Sequence, residues 1–279
     1  MGVFPPHIDR LSLTPPPPTP PHKGEEGLGR VRFCALPPSP LAPLPHGRGG
    51  KRLTMPTLVI ANKCYSSWSL RPWLLMKQLG IAFDEIVIPL DLPDTKAKVL
   101  AHSPAGKVPI LIDGDVTVWE SIAIMEYIGD AFAPVWPPDR GARAMARSVA
   151  AEMHAGVPAL RSACPMNLGR KFAPKDRGEA VARDVARFSE IVRQARERVR
   201  AGGPFLFGAF SAADAMYAPL ATRLDTYSIA IDATTRAYVD AILSLPAFQE
   251  WRSAALKEEW IVDADEVDED AIDNYRKAA

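Results

Sequence analysis

A chain of 279 residues is too long for one minimal domain and suits two modest ones. Its 47% apolar content, with 33 basic residues balanced by 33 acidic ones, fits a globular protein and leaves no net basic field to steer it to nucleic acid or an acidic membrane. The three cysteines, Cys34, Cys64 and Cys164, are too few and too far apart for a disulfide framework, and no apolar run approaches the roughly 20 residues of a membrane helix. With no apolar h-region at the N-terminus either, the expected location is the cytoplasm.

Residues 1–54 hold nearly half of the 28 prolines and almost no periodic apolar positions. A segment of that composition cannot bury enough surface to offset its ordering entropy, so a disordered Pro-rich tail is expected. It has two readings: a PxxP ligand for an SH3-type partner, or an upstream start artefact carrying a translated inverted repeat, with Met55 as the true start.

From Thr57 the texture changes. "TLVIAN" is a β-rich run, and a helical pattern over Leu70–Leu79 ends at Gly80. "FDEIVIPL" reads as a second strand and "DTKAKVLAHS" as a short helix closed by Pro104. "VPILIDGDVTVWE" is two strands joined at "DG", and "SIAIMEYIGDAF" is a helix with Ser121 at its N-cap. The order β-α-β-α-β-β-α over residues 55–133 predicts a small mixed sheet covered by helices.

"PVWPPDRG" reads as a linker, residues 134–141. Residues 142–262 are expected to be all helical. In "EAVARDVARFSEIVRQARERVR" apolar Val181, Val185, Phe188, Val192, Ala195 and Val199 recur every three or four residues, the face of a bundle helix. "FSAADAMYAPL" offers Ser211 as N-cap and Asp214 three residues on, the capping-box spacing. Residues 263–279 read as a solvated acidic tail; "DADEVDED" lacks the EF-hand spacing. No metal-ligand spacing, phosphate-binding Gly-rich loop or Ser-His-Asp order stands out.

"YSSWSLR" between the first strand and helix, Val108-Pro109 in "AGKVPIL", Glu120-Ser121 in "WESIAI" and the later capping box occur in a characteristic order. Together they resemble a glutathione transferase over residues 57–260: an α/β thioredoxin-like N-terminal domain followed by an all-α C-terminal domain. The serine-rich loop is most similar to the serine-type, zeta-like classes, with "SSWS" where zeta has "SSCS", and "EMHAGVPALR" and "PMN" resemble a bacterial branch. Trp68 in place of that cysteine departs from the zeta pattern.

The resemblance implies glutathione as co-substrate, no metal, and a homodimer of the kind used in detoxification. Glutathione reacts as its thiolate. Lowering a thiol from about 8.5 by one or two units takes roughly 1.4–2.7 kcal/mol, which one hydroxyl donor at a helix N-terminus can supply. Ser66 is the first candidate for that donor: it occupies the position of the first cysteine in the C-x-x-C of redox relatives, and Arg71 follows it by five residues. An offset of four would select Ser67 instead, Cys64 is a third candidate, and Ser69 is expected to cap the helix.

By the same resemblance, a cis Val108–Pro109 bond would turn the backbone of Val108 toward the cysteinyl unit of glutathione. Ser121 would meet its γ-glutamyl carboxylate, Glu120 its ammonium, and Lys107 or Lys96 its glycyl carboxylate. Met153, His154, Arg161 and Asn167 are the candidates for a second-substrate pocket between the domains. The expected reaction is attack of glutathione thiolate on a small hydrophobic electrophile. The alternatives are a maleylacetoacetate-isomerase-like or peroxidase activity, and a non-catalytic stress module that binds glutathione or a protein.

Overall fold

The computed structural model describes residues 55–199 and 202–276, all within one compact unit that runs from residue 52 to the C-terminus. The Pro-rich tail and Cys34 lie outside the described residues.

The first half is a four-stranded mixed sheet with helices around it. β1 (Thr57–Ile60) pairs in parallel with β2 (Asp84–Val87) and antiparallel with β3 (Ile110–Asp113), which in turn pairs with β4 (Val116–Trp119), giving the order β2-β1-β3-β4. Central β1 is apolar on both faces, as a strand covered on both sides must be. Gly114, at φ 62°, opens the two-residue loop between β3 and β4, a backbone region that costs glycine little.

Helix α1 (Ser67–Gln78) follows β1, α2 (Thr95–Leu100) follows β2, and α3 (Ser121–Ala131) follows β4. The capping position of α3 is Glu120, at φ 69°, and Ser121 is the first helical residue. The sequence pattern places the cap one residue late, because serine is the better capping type and nothing local announces a left-handed glutamate.

The second half is the expected helical domain: α4 (Arg140–Ala155), α5 (Pro158–Ala163), α6 (Glu179–Val199), α7 (Ala212–Thr226), α8 (Ala233–Leu243) and α9 (Pro246–Ala255). On α6 the buried set includes Val181, Val185, Phe188, Val192 and Ala195, the stripe read from the sequence. α7 is buried on nearly every side, so it is the axis of the domain, and α1 lies against it. One core runs through both halves.

The C-terminal segment differs from the expected solvated acidic tail. β5 (Arg170–Phe172) pairs antiparallel with β6 (Ala271–Asn274), a two-stranded sheet absent from the all-helical reading. Glu266 accepts hydrogen bonds from Tyr65 and Asn167, and Glu269 receives both forks of Arg177. Those cations and donors lie far away in sequence, so the run looks uncompensated when read locally.

Candidate active site

The loop between β1 and α1 is held by groups from all over the chain. The carbonyl of Asn62 accepts from the N–H groups of Tyr65 and Ser66, which winds the chain into the helix. Ser66 is the N-cap of α1: its Oγ accepts from the N–H of Ser69 at 3.4 Å and donates to Ser69 Oγ at 2.7 Å. Ser69, the expected cap, sits a turn inside, where its Oγ accepts from the N–H of Ala61 and ties the helix to the end of β1. Two serines three residues apart can each cap, and the turn at Asn62 decides for the earlier one. Ser67 opens the helix, and both Ser66 and Ser67 are buried.

Cys64 is fully buried, and burial pushes its thiol up to about 11. A thiol held there is protonated at neutral pH and is no nucleophile. Cys164 is likewise buried and raised to about 11.

Beside the start of α1 lies a cleft of about 360 Å³ walled by Trp68, Val108, Pro109, Trp119, Glu120 and His154, with Lys107 at its rim. The Val108–Pro109 bond is cis. Four of the sequence candidates, Lys107, Val108, Pro109 and Glu120, therefore meet in one cavity, and His154 joins them from α4. Nε2 of His154 lies 3.6 Å from the Glu120 carboxylate. Burial, then the Arg71 guanidinium, holds His154 below its ordinary value against the pull of Glu120.

Ser121 is fully buried, with its Oγ accepting from Arg71 at 3.4 Å and 3.9 Å from the sulfur of Met216. Its side chain therefore faces the protein interior. Met153 is buried in the core, and Arg161 on α5 is half-buried with its guanidinium carbon 4.7 Å from the Trp68 ring centre. Asn167 lies elsewhere: its amide donates to Glu266 and accepts from the N–H of Gly169, so it anchors the C-terminal segment and does not line the cleft. Lys96 reaches the carbonyl of Gly106.

Three features escape sequence reasoning. Trp68 walls the cleft and Arg71 stacks on it at 4.2 Å, 1% exposed. The only local signal for Trp68 is the cysteine it replaces in the zeta pattern. The Glu258 carboxylate accepts from the N–H groups of Lys63 and Cys64, and no pattern links residues that far apart. Among the described residues no cluster of three or more His, Cys, Asp or Glu is arranged for a metal.

A family model for the glutathione S-transferase N-terminal domain matches residues 65–131, and one for the glutathione S-transferase C-terminal domain matches residues 178–254. The chain belongs to the glutathione transferase superfamily. Dichloromethane dehalogenase of Methylorubrum extorquens is 37% identical over 59 residues, 20% of each chain. Glutathione S-transferase T1 of Arabidopsis thaliana is 32% identical over 118 residues, 38% of this chain and 48% of that one. The matched stretches thus span less than half the length of these curated relatives. A glutathione transferase homologue from Burkholderia gl BGR1, solved with bound glutathione, shares the fold at TM-score 0.55 and 21% identity, over 74% of this chain and 100% of that one. The theta class glutathione S-transferase of Xanthomonas axonopodis pv. citri, also with glutathione bound, does so at 0.52 and 21%, over 70% and 95%.

Proposed function

We propose that this transferase conjugates glutathione thiolate to small hydrophobic electrophiles and that it is of the serine type, with Ser66 as the hydroxyl donor to sulfur and Ser67 in reserve. The observation that carries the reading is the N-terminus of α1. It holds the Ser66 and Ser67 hydroxyls and no acidic residue in its first turn, so no carboxylate neutralises its positive end, and the next residue, Trp68, walls the cleft. A fixed donor and a helix terminus stabilise a thiolate without ionising themselves. The buried, protonated Cys64 argues against a cysteine-type exchange reaction in the same loop.

Glutathione would lie along the cis-proline segment, its cysteinyl unit on the backbone of Val108 and its glycyl carboxylate near Lys107. Glu120 would pair with the ammonium, and the start of α3 would offer the N–H of Ser121 to the γ-glutamyl carboxylate. A cytoplasmic homodimer completes the proposal; Val116 and Trp119 on edge strand β4 are exposed apolar residues that a second copy could cover. No described helix is long and apolar enough to cross a membrane.

The test is Ser66→Ala. The thiol pKa of bound glutathione, read from thiolate absorbance against pH, is expected to rise by about one unit, and kcat/KM for a chloronitrobenzene to fall by roughly ten- to a thousandfold. In Ser66 the hydroxyl proton now goes to Ser69 Oγ, so donation to sulfur requires it to rotate. An unchanged pKa in Ser66→Ala with a raised one in Ser67→Ala transfers the role to Ser67. Unchanged values in both remove the serine mechanism.

A further inference from the structure

Three guanidinium groups from three helices meet behind the cleft with neutral partners. Arg223 of α7 donates to the carbonyls of Cys164 and Pro219, and Arg161 of α5 to those of Met153 and His154. Among the described residues, the one hydrogen bond of the Arg71 guanidinium, on α1, is the 3.4 Å contact with Ser121 Oγ. The carbonyls of Met153, His154 and Cys164 end helices α4 and α5, so their dipoles offset part of the charge on Arg161 and Arg223.

Arg71 has no such compensation. It is 1% exposed and its Nε is buried without an acceptor. Nε of Arg161 is likewise buried and unpartnered. Both guanidinium groups rest against the Trp68 ring that walls the cleft, at 4.2 and 4.7 Å. The mutual repulsion registers on Arg71, which burial first, then Arg161 and Arg223, drive well below its ordinary value. A buried cation without a counter-charge is costly. A cluster of guanidinium groups with neutral partners suits the binding of an anion.

Glutathione, in the reading above, uses the rim and the far end of the cleft: Lys107, Val108, Glu120 and the start of α3. Arg161 is left over: it stands on α5 of the helical domain, packed against the Trp68 ring that walls the cleft. We propose that Arg161, backed by Arg71 and held against Trp68, is a subsite for a carboxylate on the second substrate, so that the electrophiles taken are small organic acids. The inference rests on the transferase reading and narrows it. Nη2 of Arg161 already donates to the Met153 and His154 carbonyls and its Nε is buried, so a carboxylate would be met by Nη1, through a charge-assisted hydrogen bond that the low-dielectric setting strengthens.

The probes are 4-chloro-3,5-dinitrobenzoate and its amide, which differ chiefly in charge. With either, the thiolate forms the new C–S bond, chloride leaves with the C–Cl electron pair, and the thiol proton goes to solvent. Each kcat/KM is divided by the compound's own uncatalysed rate constant. The wild-type protein is expected to favour the carboxylate by about ten- to a hundredfold, Arg161→Met to bring the ratio near one, and Arg161→Lys to keep part of it.

Dissociation constants of the two S-aryl glutathione products, measured by calorimetry, give the same ratio without turnover. A ratio near one in the wild type, or a wild-type ratio in both variants, overturns the subsite. Carboxylate-selective binding of the product with no turnover of either compound keeps the subsite and removes the transferase reading. Binding of neither product removes both.

Discussion

Ser66, the N-cap of α1, illustrates how a proposed thiolate donor and a helix cap can share one position for the same reason. A hydroxyl at a helix N-terminus satisfies an orphan N–H when the site is empty and is already aimed along the positive end of the dipole. The sequence identifies the right cluster, because serine three residues before serine ahead of an apolar run is a helix start. It misassigns the cap, because the choice between Ser66 and Ser69 is made by the Asn62 carbonyl and by the bond from Ala61 to Ser69 Oγ, both backbone facts. The third candidate, Cys64, is excluded by its burial, which no spacing rule expresses. With its thiol near 11, Cys64 in the native protein is expected to react with a disulfide reagent at pH 8 about a hundredfold more slowly than a free cysteine. Peptide mapping after timed labelling measures this, with the denatured chain as reference. Labelling at the free-thiol rate would restore Cys64 as a candidate nucleophile.

At the scale of elements, the capping box that opens α7 is the most legible feature of the helical half. Asp214 accepts from the N–H groups of Leu206 and Ser211 and from Ser211 Oγ, and all of it lies inside the core. The pattern Ser-x-x-Asp gives the hydrogen bonds away; it does not reveal that the helix is buried all round, which depends on α1, α4 and α8 packing about it. Burial pushes the Asp214 carboxyl up to about 6, against the pull of its donors. Its unfolded value is about 3.9. Between the two the native state holds the proton more tightly, so this contribution to stability is complete below pH 4 and is lost as pH rises to about 6. Asp214→Asn is expected to cost about 1–3 kcal/mol at pH 7, where the ionised carboxylate accepts from all three donors and an amide cannot. It should also flatten the stability profile between pH 4 and 6 relative to the wild type. Denaturant titrations at several pH values measure both effects, and parallel profiles for the two proteins would mean that Asp214 titrates normally.

The whole molecule is closed by the segment that the sequence makes look most dispensable. Residues 263–279 read as an acidic end because the partners of Glu266 and Glu269 lie far away in sequence. The Glu258 carboxylate takes the N–H groups of Lys63 and Cys64, Arg276 donates to the Tyr65 hydroxyl and to the carbonyls of Glu258 and Trp260, and β6 pins the strap to β5. The Trp251 indole adds a bond to the carbonyl of Lys63. The loop that presents Ser66 is thus fixed from the C-terminal end of the chain, and the two halves are tied together at the loop where the thiolate donor is proposed. Glu258→Gln keeps one acceptor but turns an amide N–H₂ toward a backbone N–H. It is expected to cost about 1–3 kcal/mol and to speed amide exchange at Lys63 and Cys64 by at least about tenfold, with a higher KM for glutathione and a smaller change in kcat. Thermal melting, hydrogen exchange and steady-state kinetics read these separately. Lower stability with unchanged exchange in the loop would mean that the strap stabilises the fold without positioning the site.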